Sequence, residues 1–80
     1  MNNRSRKEIE LRILIILDSS GACNMNMIRY RINTDDCTFK EAMQNLRDKR
    51  FISIEKTEKA HIINLTDKGV SLIPAAKSLL

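Results

Sequence analysis

The apolar positions of this chain recur first at helical spacing and then, past residue 50, at strand spacing. Ser5 and Glu8 form an S-x-x-E capping box. Ile9, Ile13, Ile16 and Leu17 follow on one face, and Leu11 and Leu14 widen the stripe. The pattern predicts a first helix over Arg6 to Asp18, stopped by "DSSG", where Gly21 suits a left-handed C-terminal position. Asn24 is the candidate cap of a short second helix in which Met25, Ile28 and Ile32 share a face. "NTDDC" has the composition of a turn. Thr38 and Glu41 then make a second box, T-F-K-E, and Phe39, Ala42, Met43 and Leu46 stand at i, i+3, i+4 and i+7. This predicts a third helix from about Phe39 to Lys49. Its outer face carries Lys40, Glu41, Gln44, Arg47 and Asp48, with Asn45 at the margin.

The period then drops to two. "RFISIEK" sets Phe51, Ser53 and Glu55 against Ile52, Ile54 and Lys56, and "AHIINL" reads as a second strand. No Asn-Gly or Asp-Gly marks a tight turn, so "TEK" predicts a longer, mobile tip. Thr66 or Asp67 caps a last helix through "KGVSLIPAAKSLL", whose apolar side is Val70, Leu72 and Ile73 and whose Pro74 predicts a kink or restart. The order is helix, helix, helix, strand, strand, helix. Two short helices joined by a tight polar turn are a helix-turn-helix candidate. A hairpin directly after them predicts an α+β winged helix-turn-helix, with "EKTEK" hanging beside helix 3 as the wing.

The stretch "EAMQNLRDKRFISIEKTEKAHIINLTDKGVSLI" resembles the winged helix-turn-helix DNA-binding family, most nearly the small archaeal and archaeal-virus regulators. The residues that carry the resemblance are Leu46, Phe51 and Ile52 at the passage into the wing, and Leu65, Thr66, Lys68 and Gly69 in the L-T-x-K-G that closes it. Arg50 departs from the family pattern, which has glycine there. The resemblance implies duplex-DNA binding by a transcriptional regulator, with helix 3 in the major groove, the wing on the phosphate backbone, and a homodimer.

Composition narrows the classes. Eighty residues make a single domain, 1–80, since a second core would need about 50 residues of its own. A net charge of +4 permits an anionic partner without requiring one. The longest apolar run, Ile9 to Leu17, is far short of a bilayer span and is interrupted by Glu10 and Arg12; the chain is expected to be intracellular. Cys23 and Cys37 lack partners for a zinc set and are expected to be reduced, partly buried thiols. His61 is alone, the two glycines form no phosphate loop, and no nucleophile–base pair stands at motif spacing. Neither an enzyme nor a cofactor, metal or small-molecule ligand is expected.

For a DNA interface the candidates are Arg29 and Arg31 on helix 2, Thr38 and Lys40 at the head of helix 3, Gln44, Asn45 and Arg47 on its face, and Lys56 and Lys59 on the wing. Lysine and arginine release condensed counterions from phosphates. Gln44 can pair bidentately with adenine and Arg47 with guanine, each contact worth ~1–3 kcal/mol of discrimination. The same face is also that of an ordinary solvated helix, because Glu41 and Asp48 share it and the wing carries Glu55 and Glu58. The basic cluster Arg4, Arg6 and Lys7 is either an arm for the DNA backbone or a solvated tail, and Tyr30 is expected to pack. Helix 1 and the last helix, with Leu72, Ala76, Leu79 and Leu80, are the expected dimer surfaces. A protein–protein module and a non-specific chromatin protein are the alternatives.

Overall fold

The computed structural model describes residues 5–80. Helix α1 spans Arg6–Ser20 and starts at the expected cap: the Ser5 hydroxyl accepts the Glu8 N–H at 3.2 Å. It runs past Asp18 to Gly21, whose φ of 75° and ψ of −155° lie in a region open essentially to glycine. The Gly21 N–H closes the helix on the Leu17 carbonyl.

Strand β1, Cys23–Asn24, follows directly and was not expected. Two residues are too few to show an alternation. Asn24 still caps α2, Met25–Ile32, which ends on Asn33 in a left-handed conformation. Helix α3, Asp36–Asp48, starts three residues before the sequence pattern suggests. Its cap is Asp35. Thr38 lies inside the first turn, giving its backbone N–H to one Asp35 carboxylate oxygen at 3.0 Å and its hydroxyl to the other at 2.8 Å. A carboxylate outcompetes a hydroxyl for this position because it meets both the helix dipole and the free N–H groups.

Strands β2, Ile52–Lys56, and β3, His61–Leu65, form the hairpin, paired from Ile52↔Leu65 to Lys56↔His61. β1 adds to the other side of β3, pairing Cys23 with Ile63, so the antiparallel sheet has the order β1-β3-β2. The tip is hydrogen-bonded rather than loose. Thr57 N–H donates to the Ala60 carbonyl at 2.8 Å, and the Thr57 hydroxyl accepts the Ala60 N–H at 3.0 Å. Helix α4, Asp67–Leu79, begins at Thr66 and runs unbroken through Pro74. Proline removes only the bond to the Val70 carbonyl, which the exposed position of Val70 leaves to solvent.

Ile9, Ile13, Leu14 and Leu17 of α1 pack at the centre, against Ile28 and Ile32, against Phe39, Ala42, Met43 and Leu46, and against Ile52, Ile63 and Ile73. Three expectations about burial are corrected here. Tyr30 does not pack: it is 87% exposed, because α2 turns Ile28 and Ile32 inward and Tyr30 falls on the opposite face. Cys37 is exposed in the first turn of α3, ahead of the first buried position at Phe39, whereas Cys23 is buried; both are free thiols. Ala76 is fully buried and is not available to a partner, Leu72 is partly buried against the core, and Leu79 and Leu80 are 67% and 51% exposed.

Candidate nucleic-acid interface

The outward side of α3 is two flanks, not one face. On the flank toward β2, Lys40, Gln44 and Arg47 rim a groove of about 340 Å3 floored by Met25, Phe39, Met43 and Ile54. On the flank toward α1, Glu41, Asn45 and Asp48 border a shallower depression with Arg6 on its far wall, and Gln44 reaches this side too. Past the first turn of α3 the mixed charge seen in sequence is thus sorted around the helix: cations toward the hairpin, carboxylates toward α1, Gln44 on the crest.

Asn45 belongs to the second flank. Its amide donates to Glu10 Oε2 at 2.8 Å, and the same mostly buried carboxylate oxygen takes Arg6 at 3.3 Å. This ties α3 to α1 and draws Asn45 away from the crest. Arg6 and Lys7 are exposed; Arg4 lies outside the described residues.

The other candidates divide by their partners. Arg29 forms an ion pair with Asp36 in the first turn of α3, and Arg31 donates to the Ser20 hydroxyl at 3.3 Å. Arg12 pairs with Glu8 and Lys77 with Asp18. Among the described residues Lys40, Arg47, Lys49, Arg50, Lys56 and Lys59 have no ion-pair partner, and all six are exposed on α3, its C-terminal turn or the hairpin. Lys56 ends β2 opposite His61, and Lys59 lies in the tip with its N–H on the Thr57 hydroxyl. Thr38 is engaged with Asp35, and those bonds, the backbone one first, hold the Asp35 carboxyl below the usual aspartate range. Among the described residues no cluster of His, Cys, Asp and Glu could hold a metal ion.

The L-T-x-K-G segment is a clasp between the end of α3 and the start of α4. The Thr66 N–H donates to the Phe51 carbonyl at 3.1 Å, its hydroxyl donates to the Arg50 carbonyl, and that hydroxyl also accepts the Gly69 N–H at 3.1 Å. Lys68 donates to the Lys49 carbonyl at 3.0 Å and lies over the Phe51 ring, 4.9 Å from its centre. Any side chain at Gly69 would run into the Phe51 carbonyl oxygen and press on Leu65. These residues fix where the hairpin leaves α3. In the sequence these residues carry the family resemblance, and the spacing of Thr66 to Gly69, a cap and its N3 N–H, is the signal of this clasp.

By sequence the chain matches no family profile, and no curated protein aligns with it. By shape it has many solved neighbours. A MarR-family transcriptional regulator from Silicibacter pomeroyi superposes with a TM-score of 0.79 at 15% identity, over 89% of this chain and 49% of that one. The fold is a winged helix. A MarR transcriptional regulator from Methanosarcina mazei Go1 matches the winged helix with a TM-score of 0.77 at 24% identity, over 88% of this chain and 48% of that one. MepR, a transcription regulator of the Staphylococcus aureus multidrug efflux pump MepA, gives 0.75 at 22%, over 89% and 55%. The chain spans about half the length of these structures, and at such identities the likeness is one of fold. In winged-helix terms α2 and α3 are the helix-turn-helix and β2–β3 is the wing. Among the described residues no helix is long and apolar enough to cross a membrane.

Proposed function

We propose that this chain binds duplex DNA as a small transcriptional regulator, setting α3 in the major groove and the wing on the phosphate backbone. One observation carries the reading. Among the described residues four cations of α1, α2 and α4 (Arg6, Arg12, Arg29 and Lys77) are held by carboxylates of the same chain and three (Lys7, Arg31 and Lys68) are not, whereas none of the cations of α3, its C-terminal turn and the wing is so held. Neutralised cations contribute little to a polyanion, and unpaired ones on one side release counterions together.

Within that reading Lys40 and Arg47 meet phosphates or base edges from the groove flank, and Gln44 on the crest pairs with adenine. Lys56 and Lys59 take the backbone beside it. Arg29, held by Asp36, and Thr38, held by Asp35, act by supporting the head of α3. Asn45 braces α3 against α1. Leu79 and Leu80, exposed at the end of α4, form the apolar contact of a homodimer that sets two α3 helices about one DNA turn, ~34 Å, apart. The likeness to small archaeal regulators is part of the same reading.

The test is anisotropy of a labelled random-sequence duplex titrated at about 50 and 200 mM salt. Micromolar binding that weakens steeply with salt supports DNA. The exposed apolar end of α4 also suits a protein–protein module, and a chain that ignores duplex at low salt yet self-associates independently of salt would establish that reading instead.

A further inference from the structure

Three described residues have a positive φ: Gly21 at 75°, Asn33 at 51° and Arg50 at 66°. Glycine and asparagine are the residues that adopt this conformation at least cost. Arginine is not, and the position of Arg50 demands it. Lys49 caps α3, the Arg50 N–H bonds the Arg47 carbonyl at 2.9 Å, and the Phe51 N–H bonds the Leu46 carbonyl at 2.9 Å. That pair of bonds is the Schellman ending, whose left-handed residue is Arg50 and whose usual occupant is glycine. Nothing in the turn uses the arginine side chain for stability. Its carbonyl serves Thr66, a contact any residue provides. Among the described residues it makes no ion pair, although Asp48 stands two residues before it and Asp67 follows Thr66, whose hydroxyl bonds its carbonyl. Its neighbours Arg47, Lys49 and Lys68 are cations, so an arginine here adds both strain and like-charge repulsion.

We propose that Arg50 is a DNA-contact residue, its guanidinium binding a phosphodiester one turn beyond Arg47, where α3 passes into the wing. This rests on the duplex-DNA reading above and extends the contact surface to the base of the wing. A planar, permanently charged fork suits a phosphate. The clasp of Thr66, Lys68 and Gly69 holds that backbone in place while α3 and β2 stay unchanged.

The experiment compares wild type, Arg50→Gly and Arg50→Lys in the full chain, by thermal melting and by titration of labelled random-sequence duplex at several salt concentrations. For Arg50→Gly, Tm rises by about 4–8 °C as strain is relieved. Its affinity falls about three- to tenfold, and the slope of log K against log salt becomes shallower by about 0.9, one phosphate's worth. Arg50→Lys keeps the wild-type Tm and salt slope, with an affinity between those of wild type and Arg50→Gly. A stabilised Arg50→Gly with unchanged affinity and slope would overturn the assignment and leave Arg50 as a tolerated misfit. A fall in both Tm and affinity would also overturn it, since the loss would then be structural. Failure of the wild type itself to bind duplex at low salt would instead remove the DNA reading on which it rests.

Discussion

The two flanks of α3 are a few ångströms apart on one helix and are built for opposite ends. The flank toward α1 is closed on itself: Asn45, Glu10 and Arg6 satisfy one another, and Glu41 and Asp48 stand beside that network. The flank toward the wing is open: Lys40 and Arg47 rim an apolar floor and have no carboxylate partner among the described residues. A sum over the exposed face gives near-neutral charge and suggests a bland solvated helix. The arrangement shows that the sum is the wrong quantity, because a docking partner meets one flank at a time.

The comparison can be broken at several points. The largest effect comes from Gly69→Ala, which removes the frame of the open flank without touching a cation. The added methyl collides with the Phe51 carbonyl and displaces the start of β2, costing about 3 kcal/mol of stability by denaturant unfolding. Lys40→Ala with Arg47→Ala strips the open flank. Duplex affinity falls by about 2–3 kcal/mol and the salt slope by about two phosphates' worth, with Tm nearly unchanged, as anisotropy and melting would read. Glu10→Ala opens the closed flank and reverses the pattern: about 1–2 kcal/mol of stability is lost as Asn45 and Arg6 lose their common acceptor, while duplex affinity holds. A DNA loss as large as that of the Lys40/Arg47 pair would erase the distinction between the flanks.

The smallest effect is at Asp35, which caps both flanks alike. Its folded-state carboxyl titrates below the unfolded one, chiefly because the Thr38 N–H bonds the charged form. The stabilisation is therefore present above the ordinary aspartate range and is lost as pH falls through the lowered value. Asp35→Asn keeps a cap and flattens that acid limb in a series of melts between about pH 2 and 6.

Much of this architecture is readable from residue spacing. The Ser5 cap, the Phe39-Ala42-Met43-Leu46 stripe, the alternation of Phe51 to Lys56 and the Thr66 cap each announce their element within a few neighbouring residues. What escapes is non-local or contested. β1 exists only because Ile62 and Ile63 come to lie beside it. The sequence pattern puts the cap of α3 at Thr38, whereas Asp35 takes it, and their mutual hydrogen bonds give both a role. Asn45 and Glu10 stand 35 residues apart, so no periodicity could pair them. Arg50 was visible as an oddity, and its meaning needed the torsion angle.

The pairing of β1 with β3 has a consequence for how the molecule is made. Cys23 and Asn24 connect α1 to α2, and their only strand partner sits 38 to 40 residues downstream at Ile62 and Ile63. During synthesis the first half of the chain therefore emerges with that link unpaired and with Ile28 and Ile32 uncovered on their sheet side. The groove-facing helix α3 is translated before the strand that locks its neighbour in place. That pairing must wait for the C-terminal half, because the loop it closes spans 38 to 40 residues. The strand that pairs within the wing is thus also the one that anchors the link leading into α2.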